Sequence, residues 1–358
     1  MRIGLLISTV TPVLVLLGIL YLGRNVRRIG WLVGSALLWG GIGINPAIHF
    51  NDLWASVYSM SSLYVIGAPI VEETIKSFVL PLTGLSRRVS WFVDGAILGA
   101  ASGTGFAIRE NWLYLKSSGS NEALSTSIAR VTSTNLMHAG ATAITGAVVA
   151  LVLSRGWRWR IVLPIGGLLL AMTLHSTFNR LTTNVLVSPV IVTFVGMATF
   201  GIAVGIVSLG FPISSKWVRK DLTLAGATES EKQSLSGHHV SDVLGEFGAR
   251  FGREAAQKAE QLVATQRNLA IARFAGRAKE SDIQILSERS DQLRLDIGMF
   301  AMMWLRSHLP VDIKSEGIWS NLDQSVVTEV LGSGSVPKGI WKRLDDEFAQ
   351  ASEKKDSL

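Results

Sequence analysis

Apolar residues are concentrated in the first 213 positions, where they form long stretches separated by short polar connections. A helix needs about 20 mostly apolar residues to cross a bilayer. Stretches of that kind cover residues 3–22, 29–49, 57–82, 91–115, 127–153, 161–183 and 187–212. The pattern therefore predicts an all-α, polytopic membrane helix bundle of about seven transmembrane helices over residues 1–213.

The chain changes character after residue 213. Residues 214–243 are polar and rich in Ser and Gly, which is typical of a linker. Apolar residues then return at helical spacing, which predicts a cytoplasmic helical domain over 244–349 with two long amphipathic helices. The two sets are Phe247, Phe251, Ala255, Leu262 and Leu269, then Leu286, Leu293, Ile297, Phe300 and Trp304. Residues 350–358 are predicted to be a disordered tail, and the helical domain is a candidate for self-association or for binding a cytoplasmic partner.

The charges predict how the chain lies in the membrane. The sequence holds 34 Lys plus Arg and 27 Asp plus Glu, a net charge of +7, and 14 of the basic but only 6 of the acidic residues precede residue 214. Basic residues cluster in alternate connections, as the positive-inside rule expects of cytoplasmic loops. These are Arg24, Arg27, Arg28, Arg87, Arg88, Arg155, Arg158, Arg160, Lys216, Arg219 and Lys220. We expect a multi-pass plasma-membrane protein with its amino terminus outside and its carboxyl terminus in the cytoplasm, and no nucleic-acid partner.

The third apolar stretch contains three ionisable residues, in the run APIVEETIKSFVLPL. A charge near the bilayer centre costs at least about 2.5 kcal/mol, and such groups usually face a protein interior or a wet cavity. Glu72 and Lys76 lie four residues apart on one helix face. A structural salt bridge to Lys76 needs only one of the two glutamates. The other glutamate is therefore a candidate for proton transfer.

Further polar residues lie at membrane depth in three later stretches. Phe106 and Glu110 share a face of the fourth stretch, whose Gly95, Gly99 and Gly103 predict close packing against another helix. Arg109 is a candidate to neutralise Glu110. His138 lies in the fifth stretch, and the sixth carries His175 and Asn179 on one face. So many polar groups in a membrane bundle predict one wet pocket, which the predicted topology opens outward.

These motifs resemble the PrsW family of intramembrane proteases, relatives of the CAAX-prenyl endopeptidases and of bacteriocin-processing enzymes. The resemblance covers about residues 50–210 and rests on four motifs in order on successive stretches. They are the E-E-x-x-K run of Glu72, Glu73 and Lys76, the run of Asp94, Gly95, Gly105, Phe106, Glu110 and Asn111, the histidine His138, and the H-x-x-x-N pair of His175 and Asn179.

The resemblance implies hydrolysis of a peptide bond in or beside the membrane span of a single-pass protein, such as an anti-sigma factor. It implies that Glu72 or Glu73 is the general base, with Lys76 tuning the pair and Glu110 orienting water or sharing the proton. His138, His175 and Asn179 would polarise the carbonyl and stabilise the oxyanion, and Phe106 and Asn111 would support the site.

A zinc-dependent version is a second interpretation of the same residues. His138, His175 and Glu110 form a ligand set that zinc accepts, with a position left for water. The chain has no cysteine, so a site built on thiolates is excluded. The sequence leaves the metal-free and zinc-dependent versions open.

Two other classes of function compete with proteolysis. Buried acids and histidines also form proton relays, so a proton-coupled transporter or channel is the alternative, although no two-half symmetry is visible in the sequence. A scaffold with a membrane anchor is the third class, but an anchor has no need of buried acids.

Overall fold

The computed structural model describes residues 1–23, 26–86, 88–119, 121–153, 156–224, 232, 240–275 and 278–307. These residues are almost entirely helical and contain no strand, which confirms the all-α prediction. The chain divides into two compact units, Met1–Phe211 and Pro212–Leu358. The predicted boundary after residue 213 lies two positions from this division.

Five helical stretches of the described chain are long and apolar enough to cross a bilayer. They are Arg2–Gly23, Ile29–Val57, Ala123–Leu151, Trp157–Thr182 and Pro189–Leu224. In the most apolar windows of the last two, only 22% of the residues are buried, so these helices present apolar surface on most sides. Such helices are stable where lipid surrounds them, which agrees with a polytopic membrane protein.

In the described part of the chain, ten helices and one π-turn carry the predicted spans. The first two predicted spans are α1 (Arg2–Gly23) and α2 (Val26–Val57). The fourth is α6 (Phe92–Ser117), a continuous helix that is not among the five stretches above. The fifth is divided at Ser133 into α7 (Ala123–Thr132) and α8 (Thr134–Leu151). The sixth and seventh are α9 (Trp157–Thr182) and α10 (Pro189–Leu224).

The third predicted span, 57–82, is not one helix. It consists of α3 (Met60–Ser62), a π-turn (Leu63–Gly67), α4 (Ala68–Ser77) and α5 (Val79–Gly84), which we call the broken span. Side chains of other helices donate to its backbone carbonyls: Ser176 to Val65, Asn179 to Tyr64, Trp39 to Ile75 and Ser102 to Lys76. Inside a bilayer no water can satisfy a freed carbonyl, so these donors make the breaks tolerable.

The glycine stripe of α6 packs directly on α8, as the sequence predicted. A Cβ atom at Gly95, Gly99 or Gly103 would collide with the backbone carbonyls of Gly146, Thr142 and His138 respectively. The two helices therefore meet backbone to backbone. This contact fixes the register that brings Glu110, two turns after Gly103, next to His138.

The second unit corrects the first part of the predicted linker and the prediction of two long helices, while residues 225–231 and 233–239 of the linker lie outside the described residues. Residues 214–224 belong to α10, and Val218 and Leu222 are buried in the core of this unit. The described residues that follow contain four helices: α11 (Val240–Phe251), α12 (Arg253–Phe274), α13 (Glu280–Ile297) and α14 (Met299–Ser307). Phe247, Leu262 and Leu293 enter the core, but Phe300, predicted on the apolar face, is 76% exposed. Residues 308–349 of the predicted domain and the predicted tail 350–358 lie outside the described residues.

Gly99→Ala should destabilise the bundle because the added methyl group meets the backbone of α8 at Thr142 and Ala143. Overpacking of this kind costs about 1–3 kcal/mol. The measurement is the melting temperature of the detergent-purified protein. Gly201→Ala on α10 is the matched control, because a Cβ there meets nothing within 4 Å. Equal melting temperatures for the two variants would contradict the helix packing described here.

Candidate active site

A cavity of about 450 Å³ lies where one end of α2, α6, α8 and α9 meets the broken span. It combines apolar walls with a few acids, imidazoles and one arginine. Its lining residues are Ile44, Ile48, Asn51, Leu63, Tyr64, Ala68, Glu72, Glu110, Leu113, Tyr114, Arg130, Thr134, His138, His175, Phe178, Asn179, Thr182 and Thr183. The cavity thus brings together five of the six predicted catalytic residues, namely Glu72, Glu110, His138, His175 and Asn179. The sixth, Glu73, does not line the cavity.

Glu73 and Lys76 form a fully buried ion pair on α4. The Lys76 ammonium lies 2.5 Å from Oε1 of Glu73, and neither side chain is exposed. The same ammonium donates to Nδ1 of His138 at 2.7 Å. Oε1 of Glu73 also accepts from Nδ1 of His175 at 2.9 Å, and its Oε2 accepts from the hydroxyl of Thr142 at 3.2 Å. Both oxygens of Glu73 are therefore occupied.

Glu110 is held by a cation that the sequence analysis missed. Oε2 of Glu110 lies 2.7 Å from Nη2 of Arg130 and 2.9 Å from Nε2 of His138. Arg130 is fixed in turn by a 2.6 Å hydrogen bond to Oδ1 of Asn111 and by stacking on Tyr114. Arg109, the predicted neutralising residue, lies over the ring of Trp112 instead.

Glu72 is the carboxylate of the site for which the described part of the chain supplies no cation partner. Asn51 donates to its Oε1 at 3.3 Å, while its Oε2 is buried without a hydrogen-bond partner among the described residues. That oxygen lies 3.9 Å from Nε2 of His175. Lys76 is occupied by Glu73 and Arg130 by Glu110, so the surplus negative charge of the site resides on Glu72.

The hydrogen bonds fix which nitrogen of each neutral histidine carries the proton. His138 accepts from the Lys76 ammonium at Nδ1, so its Nε2 carries the hydrogen and donates to Glu110. His175 donates from Nδ1 to Glu73, so the lone pair of its Nε2 faces the cavity and Glu72. The two rings meet edge to face at 4.8 Å.

Three further predicted residues serve the site indirectly. Phe106 is completely buried, with the Lys76 ammonium 5.0 Å above its ring and His138 beside it at 5.5 Å. Asn111 joins Arg130 to the buried Asn135. Asn179 lines the cavity, but its amide donates to the carbonyl oxygen of Tyr64 at 2.9 Å and so fixes the π-turn.

Glu72, His138 and His175 form the group that could hold a metal ion among the described residues. Their candidate ligand atoms lie within 4.8 Å of one another. Glu72 therefore takes the place that the sequence analysis assigned to Glu110. The unpartnered oxygen of Glu72 and the free lone pair of His175 suit a metal directly, and Glu73 on Nδ1 of His175 is the outer carboxylate that such histidines usually have. His138 fits once its Nε2 releases Glu110.

Arg130, Asn51 and Thr142 were missed because they lie in ordinary sequence contexts. Arg130 lies among polar residues at the start of the fifth predicted span, where a charge usually faces the surrounding water. The available signal was the charge balance of the membrane part. Three acids and one lysine at membrane depth favour a second cation near the site. The sequence analysis gave that role to Arg109, although Arg130 lies close to His138 in the sequence.

The sequence model of the PrsW family intramembrane metalloprotease matches residues 28–206. This match spans half of the chain. The chain belongs to the PrsW family. No significant match was found among curated proteins or among solved structures. Membership supports a membrane-embedded protease acting on protein substrates in the bilayer, and the matched residues contain every group of the site described above.

Lys76→Met should destabilise the PrsW-family unit because it leaves Glu73 buried and unpaired. Removing one partner of a buried ion pair costs about 3–5 kcal/mol. The melting temperature in detergent should fall, and Glu73→Gln added to Lys76→Met should recover part of the loss. Lys116→Met, an exposed lysine on α6, is the control. Unchanged stability of Lys76→Met would contradict the pairing.

Proposed function

We propose that this PrsW-family protein is an intramembrane endopeptidase in which Glu72 is the reacting carboxylate. The observation that carries the proposal is the pairing of charges. Within the residues that the structure describes, Glu73 and Glu110 have cation partners, while Glu72 has none and faces the cavity. A free carboxylate beside a histidine lone pair in a wet cavity is suited to take a proton from water.

The peptide bond would be cut by a water molecule lying between Glu72 and the substrate carbonyl. As the water oxygen bonds to the carbonyl carbon, one of its protons passes to Oε2 of Glu72. The negative charge on the former carbonyl oxygen would be stabilised by donors on the cavity wall, namely Nε2–H of His138 and the Arg130 guanidinium. When the C–N bond breaks, Glu72 returns the proton to the leaving amine.

Glu73, Lys76 and Glu110 would act through their neighbours. Glu73 keeps the proton of His175 on Nδ1, and Lys76 keeps the proton of His138 on Nε2. Glu110 and Arg130 hold the ring of His138 from the other side. These fixed orientations keep the cavity-facing nitrogens ready for reaction without further rearrangement.

In a zinc-dependent version, Glu72, His138 and His175 would hold the metal. Bound zinc would polarise the carbonyl and make water more acidic. Glu110, released from His138, would then remain as the carboxylate on the cavity wall that could take the proton. These three residues are suitable ligands for zinc. A measurement of bound metal distinguishes the zinc-dependent version from the metal-free one.

The substrate class proposed is a single-pass membrane protein, for example an anti-sigma factor. The cavity lies within the helical bundle, and the family acts in the membrane. With the predicted topology, the cavity end of the bundle faces the extracytoplasmic side, and the cut would fall near the outer end of the substrate's span. The proposed location is the plasma membrane, with the carboxyl terminus in the cytoplasm.

Glu72→Gln should abolish cleavage while leaving the fold intact. Loss of a general base lowers the rate by roughly 10²–10⁴-fold, and no cation is left unpaired by this change. The assay is cleavage of a single-span reporter in proteoliposomes, with the melting temperature measured in parallel. Glu122→Gln, an exposed acid outside the cavity, is the matched control. Parent-like cleavage by Glu72→Gln, together with a loss of proton flux, would favour the transporter alternative.

Metal content should separate the two possible ligand sets. If zinc is bound, we expect Glu72→Gln and His175→Ala to lose it, and Glu110→Gln to retain it. The measurement is zinc per protein by mass spectrometry of purified, metal-supplemented variants. Loss of zinc in Glu110→Gln with retention in Glu72→Gln would reverse the assignment. Absence of zinc from an active parent, with undiminished cleavage in chelator, would establish the metal-free version.

A further inference from the structure

We propose that the substrate's transmembrane helix docks on the outer face of the π-turn and enters the cavity between the π-turn and α9. This inference rests on the proposed proteolysis and adds the surface that receives the substrate. A helix embedded in lipid cannot reach a buried carboxylate through the aqueous mouth without leaving the bilayer. It must cross the wall of the bundle at some seam between helices.

The wall is a single helical turn thick at the π-turn. Leu63, Tyr64 and Ala68 line the cavity. Ile66 and Ile70 follow on the same segment, do not line the cavity, and are 49% and 41% exposed. In a bundle surrounded by lipid, these isoleucines face the acyl chains. An apolar helix that contacts Ile66 is therefore separated from the cavity by the π-turn alone.

Polar side chains, not interlocked backbones, hold the π-turn against α9. Ser176 donates to the carbonyl oxygen of Val65 at 2.5 Å, and Asn179 donates to that of Tyr64 at 2.9 Å. The turn is flanked by the three-residue α3 on one side, so it is not stiffened by a long helix there. Single π-turns within helices occur frequently at functional sites.

Two other seams around the cavity are closed by direct backbone contact, and a third is filled by an aromatic ring. Between α2 and α6, a Cβ atom at Gly40 or Gly105 would collide with the backbone of the opposite helix. Between α6 and α8, Gly103 lies against the carbonyl of His138. On the α2 side of the broken span, the ring of Trp54 fills the space at Gly67. Parting any of these seams separates packed surfaces, whereas the π-turn is joined to α9 by the side-chain hydrogen bonds of Ser176 and Asn179.

The occupant of this face is an apolar membrane helix because the face continues into the cavity. Tyr64 lines the cavity and is 42% exposed, and Ile66 extends the surface outward from it. A helix docked on Ile66 and Ile70 would lie against the same α4 that carries Glu72. Lipid alone on this face is the competing outcome.

Photocrosslinking tests the docking surface. In Glu72→Gln, which holds substrate uncut, benzoylphenylalanine in place of Ile66 should form an adduct with a single-span reporter in proteoliposomes. The same group in place of Leu14, a 60% exposed residue of α1, should form none. Adducts of equal yield at both positions, or adducts with lipid alone at Ile66, would overturn the proposal.

A reversible bridge tests the seam. Because the chain has no cysteine, Val65→Cys with Ser176→Cys introduces a single pair of thiols across it. A short bifunctional methanethiosulfonate should slow cleavage of the reporter by roughly tenfold or more, with recovery on reduction. The adduct at Ile66 should persist in the bridged form, since docking precedes entry.

Gly84→Cys with Leu153→Cys, which joins α5 to the turn after α8, is the control bridge and should leave cleavage unchanged, because neither residue lines the cavity. If the variant bridged between positions 65 and 176 cleaved the reporter as fast as the same variant without the bridge, entry at this seam would be refuted. So would loss of the Ile66 adduct on bridging, because the docking face itself would then be disturbed. An unbridged parent that cuts no reporter would refute the proteolysis, and the entry route with it.

Discussion

The ammonium of Lys76 is the group on which the rest of the site depends. It lies within the bundle, unexposed, and bonds Glu73 on its own helix and His138 on α8. From there the hydrogen bonds run outward, through Glu73 to His175 and through His138 to Glu110 and Arg130. Because water does not reach Lys76, the chain itself must supply its partners, and those partners fix the orientation of both imidazoles.

The broken span is the architectural counterpart of this network. A continuous helix over 57–82 would satisfy its own backbone, whereas the observed segment depends on Trp39, Ser102, Ser176 and Asn179 for four carbonyls. What the breaks provide is a short helix, α4, that presents Glu72 to the cavity and Glu73 and Lys76 to the packed interior. Three ionisable groups in ten residues are tolerated because each face has its own environment.

The positions of the long apolar helices were predictable from the sequence. So was the convergence of polar residues from several spans on one cavity. The glycine spacing in α6 predicted close packing against another helix, and the structure shows that this helix is α8. Hydropathy could not reveal the π-turn, because Leu63–Gly67 is as apolar as a regular span and its irregularity is satisfied by side chains distant in sequence. The same limit hid Arg130, whose partner Glu110 is 20 positions away. The helical continuation through 214–224 was missed because its buried positions, Val218 and Leu222, alternate with the exposed charges Lys216, Arg219 and Lys220.

The division of labour between two neighbouring glutamates is the central claim, and the accessibility of thiols at their positions tests it most directly. The cysteine-free chain allows Glu72→Cys and Glu73→Cys to be compared in sealed membrane vesicles with a charged, membrane-impermeant thiol reagent. The account predicts rapid labelling of the thiol at position 72, which opens to the wet cavity, and protection of the thiol at position 73. Equal protection of both, or faster labelling at position 73, would contradict it.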